Sequence, residues 1–111
     1  MLVSSVVSAG YQYGPFKVTS LRAAADGVYV EFSPAPDACK SGSNYRMHAR
    51  VKFTEPETEN YKAKVSMLLT AYTTGQRFKY IWYYDTAGIA NGCSNVGGEV
   101  LDLNMFEFEN K

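Results

Sequence analysis

The stretch that most constrains the fold of this chain is residues 54–75, TEPETENYKAKVSMLLTAYTTG. Its apolar residues have helical spacing, whereas the rest of the chain has patterns typical of strands and turns. Tyr61, Val65, Leu68 and Tyr72 recur at the intervals of one helix face, which predicts an apolar stripe that packs on a core.

Both ends of this helix carry sequence signals. Thr54 followed by Glu57 matches a capping box, and Pro56 is tolerated only in a first turn, so we predict a helix start near residue 56. Gly75 suits the left-handed position that follows a last turn.

Five other segments predict strands, because they alternate apolar and polar residues or are rich in aromatic and β-branched residues. They are residues 16–23, 28–32, 45–53, 77–84 and 99–108. Asp26-Gly27 predicts a hairpin between the first two, and residues 10–15 read as a turn-like lead-in. Three strands, a helix and two strands indicate a mainly β domain over residues 10–111, a five-stranded OB-fold-like barrel with the helix between strands 3 and 4. An open antiparallel sheet packed on the helix is the alternative.

Two of the predicted strands have informative faces. Alternation in residues 45–53 aligns a basic stripe, which either contacts an acidic group or is a solvated face paired with neighbouring acids. In residues 77–84, the side chains of Phe78, Tyr80, Trp82 and Tyr84 share one face, and Ile81 and Tyr83 lie on the other. A strand that is apolar on both faces is central in the fold or covered by another subunit.

The charge balance argues against a polyanion as the main partner, since Lys+Arg and Asp+Glu are 11 each. A single-stranded nucleic acid stays a lesser alternative, with a basic groove and an aromatic platform from Arg46, Arg50, Lys52, Phe78, Tyr80 and Trp82.

No apolar run approaches the roughly 20 residues of a membrane helix. Nine tyrosines suit an interface or a sugar-binding surface, and strand propensity is the commoner cause of such an excess.

The two cysteines, Cys39 and Cys93, lie in turn-rich segments without metal-ligand spacing. We predict one disulfide between them, worth about 4 kcal/mol by the chain-entropy account, with two free thiols as the alternative. Residues 1–9, MLVSSVVSA, look like the remnant of a secretory signal or an extra first strand. We therefore expect a secreted or periplasmic protein.

No motif places a nucleophile beside the single histidine, and the acidic residues are scattered. The sequence therefore predicts a protein that is not an enzyme, with no metal and no cofactor.

The run LLTAYTTGQRFKYIW, residues 68–82, resembles the small secreted bacterial B subunits of pertussis-like and subtilase cytotoxins. There too, a helix ends in Tyr-[Ser/Thr]-Thr-Gly-Gln and passes directly into a basic-aromatic strand. The resemblance implies an OB-fold, export, a ring-shaped homopentamer, binding of cell-surface glycans and an enzymatic partner subunit. Tyr72 could supply the tyrosine of that family's sialic-acid pocket, whereas Gly14 and Pro15 stand about where its serine would be.

These observations predict a glycan-binding module. The candidates for stacking on sugar rings are Tyr11, Tyr13, Tyr72 and Trp82, and the candidate partners of a sugar carboxylate are Arg46 and Arg50. The alternative is a structural or assembly protein that forms homo-oligomers through aromatic edge strands, without a small ligand.

Overall fold

The computed structural model describes residues 9–36, 47–53, 60–84 and 100–110 of the chain. Its elements are β1 (Ala9–Ala24), β2 (Gly27–Ser33), β3 (Ala49–Lys52), α1 (Tyr61–Thr74), β4 (Phe78–Tyr84) and β5 (Leu101–Phe108). The expected mainly β fold, with five strands and a helix between the third and the fourth, is confirmed.

The strands are hydrogen-bonded in the order β1-β2-β3-β5-β4, and β4 returns to β1, so the sheet closes on itself. The first half of β1 pairs with β4 and its second half pairs with β2. The parallel pair of β3 with β5 is short and joins Ala49 to Leu101 and Arg50 to Asp102. β4 is bonded to β1 on one side and β5 on the other, so it is not the edge strand that the assembly alternative requires.

The start of β1 corrects the predicted turn. Residues 10–15 belong to the strand, because residues 10–13 pair with β4 and Gly14 and Pro15 form an irregularity before the next pair, Phe16 with Phe78. The hairpin between β1 and β2 is confirmed, although Ala24 pairs with Gly27 and the two loop residues are therefore Ala25 and Asp26. Gly27 has φ of 144°, and a Cβ there would overlap the backbone oxygen of Val51.

The helix ends as predicted but begins later. Gly75 is left-handed with φ of 77°, and its N–H donates to the Ala71 oxygen at 2.9 Å. Asn60 is also left-handed, with φ of 57°, so α1 starts at Tyr61 and not near residue 56. The proposed capping box lies in residues 54–59, outside the described residues.

The buried stripe of α1 also differs from the expectation at one position. Leu68 and Ala71 are fully buried, whereas Tyr72 is 52% exposed. Helical spacing allows the next core contact three or four residues after Leu68, at Ala71 or at Tyr72. The small side chain of Ala71 lets the helix pack closely on the sheet.

Simple alternation fails in β4 and β5 because each contains an irregularity. Between the pairs Phe78–Phe108 and Tyr80–Glu107, β4 has one extra residue. Phe78, Ile81 and Tyr83 therefore all point into the core. A matching irregularity in β5 turns Phe106 inward and leaves Met105 41% exposed.

The core fills the closed sheet, and α1 packs against it. Phe78 lies near its centre, stacked on Phe108 at 4.9 Å between ring centroids and edge-on to Phe106 at 4.9 Å. The buried cluster comprises Phe16, Val18, Val30, Phe32, Ala49, Val51, Leu68, Ala71, Phe78, Ile81, Tyr83, Leu101, Leu103 and Phe106.

Several predictions lie outside the described residues. These are the nature of residues 1–8, the disulfide between Cys39 and Cys93, and the placement of Arg46. Of the predicted third strand, residues 49–52 are strand, and Met47, Ala49 and Val51 are buried as the alternation indicates.

Candidate functional site

The pairing of β1 with β4 brings four large aromatic side chains to the outer face of the sheet. Tyr11 lies opposite Trp82, and Tyr13 lies opposite Tyr80. Tyr13 is 69% exposed, Tyr11 46% and Trp82 37%. The strands therefore hold two cross-strand aromatic pairs side by side in contact with solvent.

Tyr11 is the centre of this group. Its ring stacks on Tyr80 with centroids 5.0 Å apart and planes at 25°. It meets Tyr13 edge-on at 5.0 Å and Trp82 edge-on at 5.9 Å. Such aromatic pairs contribute about 0.5–1.5 kcal/mol each beyond area burial, so the rings hold one another in place.

β5 adds Met105, which lies opposite Trp82 and is 41% exposed. The Tyr80 hydroxyl lies 3.3 Å from the Met105 sulfur. A thioether beside aromatic rings is soft and polarizable, and it adapts to the shape of what it contacts. We call Tyr11, Tyr13, Tyr80, Trp82 and Met105 the aromatic face.

The charged residues at the border of the aromatic face are paired. Lys79 Nζ lies 2.9 Å from Glu107 Oε2, and Arg77 Nε donates to Glu109 Oε1 at 2.7 Å. Exposed pairs of this kind stabilise a fold by less than about 1 kcal/mol. Their main effect here is that these four border charges sum to zero.

The hydroxyl groups of Tyr11 and Tyr80 stay protonated at neutral pH. A hydrogen bond with the Tyr13 hydroxyl, helped by partial desolvation, raises the pKa of Tyr11 to about 12. Desolvation and a hydrogen bond to Glu107 raise the pKa of Tyr80. A neutral phenol can both donate and accept a hydrogen bond, which suits an uncharged polar ligand.

Glu107 and Met105 compete for the Tyr80 proton. A carboxylate is the stronger acceptor, so we assign the proton to Glu107 and regard the Met105 sulfur as a close contact. Hydrogen bonds from Lys79 and then Tyr80 lower the pKa of Glu107. This acid is therefore ionised at neutral pH.

A groove adjoins the aromatic face, between α1 and β5. Its volume is about 320 Å³. Met105 lines it as well as belonging to the aromatic face, so the two surfaces are continuous. The residues that line this α1–β5 groove are Asn60, Ala63, Lys64, Met67, Asn104, Met105 and Phe106.

The structure brings together three of the six residues predicted to bind glycan, namely Tyr11, Tyr13 and Trp82. Tyr72 is exposed on α1, and among the described residues no ring contact joins it to the aromatic face. Arg46 lies outside the described residues.

Arg50, the sixth candidate, is held by acids of its own chain. Its Nε and Nη2 lie 2.8 and 2.7 Å from Asp102 Oδ1, and its Nη1 lies 2.8 Å from Asp26 Oδ2. Tyr29 donates its hydroxyl to Asp26 at 2.6 Å and places its ring 5.9 Å from the guanidinium. We call Arg50, Asp26, Tyr29 and Asp102 the ionic cluster. Its contacts tie β3 to β5 and to the β1–β2 hairpin, which is a structural role.

His48 also has an internal role. Its Nδ1 accepts a hydrogen bond from the backbone N–H of Phe32 at 3.0 Å. Burial lowers the pKa of His48, which keeps this nitrogen unprotonated. The histidine thus takes the place of a sheet hydrogen bond near the end of β2.

Sequence reasoning did not assign Tyr80 or Met105 to a glycan site. Tyr80 could have been found, because it lies two residues before Trp82 on the same strand and therefore on the same face. Met105 could not, because its outward position depends on the irregularity in β5.

Within the described ranges, no group of three or more His, Cys, Asp or Glu residues could hold a metal ion. In the same part of the chain, no helix is long and apolar enough to span a membrane.

Comparison with known proteins gave no match to a family model, to a curated protein or to a solved structure.

Proposed function

We propose that this chain is a carbohydrate-binding module that receives its ligand on the aromatic face. The observation that carries the proposal is the contiguous, solvent-exposed group of Tyr11, Tyr13 and Trp82. Sugar rings expose C–H surfaces that pack on aromatic rings, while their hydroxyls need polar partners. Tyrosine and tryptophan supply both an apolar ring and a polar tip.

The charge of the aromatic face supports a glycan over a nucleic acid. Its border cations are paired with Glu107 and Glu109. Nucleic-acid binding depends on cations that replace the counterions of phosphates. Carbohydrate stacking has no such requirement.

The architecture supports a further part of the proposal. A closed order β1-β2-β3-β5-β4, with the helix between β3 and β4, agrees with a five-stranded OB-fold barrel, which we propose as the fold. Together with the toxin-like run at residues 68–82, it supports a secreted or periplasmic binding subunit that forms a homopentamer and pairs with an enzymatic subunit. In this proposal the chain itself binds and does not catalyse.

Self-association is the second candidate function of the aromatic face. Contiguous exposed apolar side chains are typical of protein interfaces as well as of ligand sites. Because β4 is bonded on both sides, copies of the chain would meet through side chains of the face and not by adding strands.

A carbohydrate titration tests the primary proposal. Trp82 is the only tryptophan, so its fluorescence reports directly on the aromatic face. Saccharides that score in a glycan array should change this fluorescence. Tyr11→Ala should weaken binding by up to about tenfold, since one lost aromatic contact costs about 0.5–1.5 kcal/mol.

Tyr72→Ala is the matched control, because it removes an equally exposed tyrosine from α1. It should leave binding unchanged. Equal losses in both variants would contradict the assignment to the aromatic face. Silence of the array, together with an oligomer that Tyr11→Ala dissociates in native mass spectrometry, would favour self-association.

A further inference from the structure

We infer that the ligand is an oligosaccharide whose first two units stack on the aromatic face and whose next unit occupies the α1–β5 groove. This inference rests on the proposed function and extends the site to residues of the helix. The junction is Met105, which contacts Tyr80 and lines the groove. A chain of linked sugars leaving the aromatic face over Met105 enters the groove directly.

The lining of the groove has the chemistry that a sugar unit requires. Ala63, Met67 and Phe106 provide apolar surface, and Asn60 and Asn104 provide amide groups. An amide both donates and accepts, as a sugar hydroxyl does. The volume of about 320 Å³ lies at the low end of small-molecule sites, which run from about 300 to 1,000 Å³.

Local backbone geometry presents the two amides. Asn104 is the extra residue of β5 between the pairs Trp82–Met105 and Tyr83–Leu103, and such irregularities re-aim side chains beside binding sites. Asn60 is left-handed before α1, and its side chain makes no capping hydrogen bond with the helix.

The test measures how affinity depends on saccharide length. The probes are a disaccharide and a tetrasaccharide built from the units that score best in the array, titrated by calorimetry. Wild type should bind the tetrasaccharide about tenfold more tightly, the effect of one or two net hydrogen bonds. Ala63→Phe should fill the groove from an exposed helical position and abolish this gain. Its disaccharide affinity should not change.

Ser66→Phe is the control, since Ser66 is exposed on α1 and does not line the groove. It should keep the gain. Asn104→Ala, a second variant, should reduce the gain without filling space. Equal wild-type affinities for both lengths, or a full gain in Ala63→Phe, would overturn the groove assignment while leaving the aromatic-face site intact. Failure of the disaccharide to bind wild type would instead overturn the function on which the inference rests.

Discussion

The aromatic face and the ionic cluster lie on the outside of the same closed sheet, and they use their side chains in opposite ways. In the ionic cluster, Arg50 is 13% exposed and is surrounded by two carboxylates and a tyrosine ring. In the aromatic face, Tyr13 is 69% exposed and contacts Tyr11 by a ring edge and by a hydrogen bond between the two side chains.

This difference separates residues that the sequence groups together. Arg50 and Tyr11 are both candidates for ligand contact by residue type. The guanidinium of Arg50 already has two partners on its own chain, and among the described residues β3 and β5 pair there at Ala49–Leu101 and Arg50–Asp102. The rings of the aromatic face pack on one another and still present surface to solvent. A binding role therefore depends on how much of a side chain stays exposed and unpaired within the folded chain.

Loss of Arg50 should give the largest effect on stability. Arg50→Ala leaves Asp26 and Asp102 without their shared cation, and we expect a loss of about 2 kcal/mol, between the values for exposed and fully buried pairs, because Arg50 is 13% exposed while Asp26 is 47% exposed. Urea unfolding measures it. Arg77→Ala breaks an exposed pair with Glu109 and should cost less than about 1 kcal/mol. Equal losses would show that the two outer regions do not differ in this way.

Truncation on the aromatic face should affect binding more than stability. Tyr13→Ala removes a mostly exposed ring that contacts Tyr11 edge-on and by an exposed hydrogen bond, so the free energy of unfolding in urea should change by no more than about 1 kcal/mol. The same variant should weaken the saccharide-induced fluorescence change of Trp82. A stability loss as large as that of Arg50→Ala would make the aromatic face a structural region.

Acid should weaken the ionic cluster through Asp26. A hydrogen bond from the Tyr29 hydroxyl, with a further one from Arg50, lowers the pKa of Asp26 below its usual 3.8. A carboxyl group whose pKa is lower in the folded state than in the unfolded state stabilises the fold at any pH above its unfolded-state pKa. This stabilisation is lost as the pH falls through its folded-state pKa. The urea concentration at the unfolding midpoint should therefore decrease as the pH is lowered from about 5 to about 2. The fall should be shallower in Tyr29→Phe, and an unchanged slope would reject this cause.

Alkali should act on the aromatic face, with the smallest effect. Because the pKa of Tyr11 is raised to about 12, its contribution is complete below the ordinary tyrosine value of 10.0 and is lost as pH rises through the folded value. Tyr13→Phe removes the main cause. In an absorbance titration of tyrosinate formation, this variant should have one fewer tyrosine that ionises at unusually high pH. The same titration of Tyr11→Phe identifies that tyrosine as Tyr11.

Several features followed from the sequence because their causes are local. The left-handed residue after α1 follows from Gly75, and the hairpin follows from a glycine next to an aspartate between two strands. Burial of Met47, Ala49 and Val51 follows from simple alternation. The same local logic predicted a helix from residue 56, and the left-handed Asn60 shows where it was wrong.

The sequence by itself determined the number of strands, the position of the helix among them and the alternating inner face of β3, because period and turn chemistry act over a few residues. Only the tertiary structure decided that Tyr11 lies opposite Trp82, that Met105 points outward and that Arg50 is paired with carboxylates of its own chain. Each of these depends on register between strands far apart in the chain, and one irregular residue in β4 or β5 reverses which side chains reach solvent.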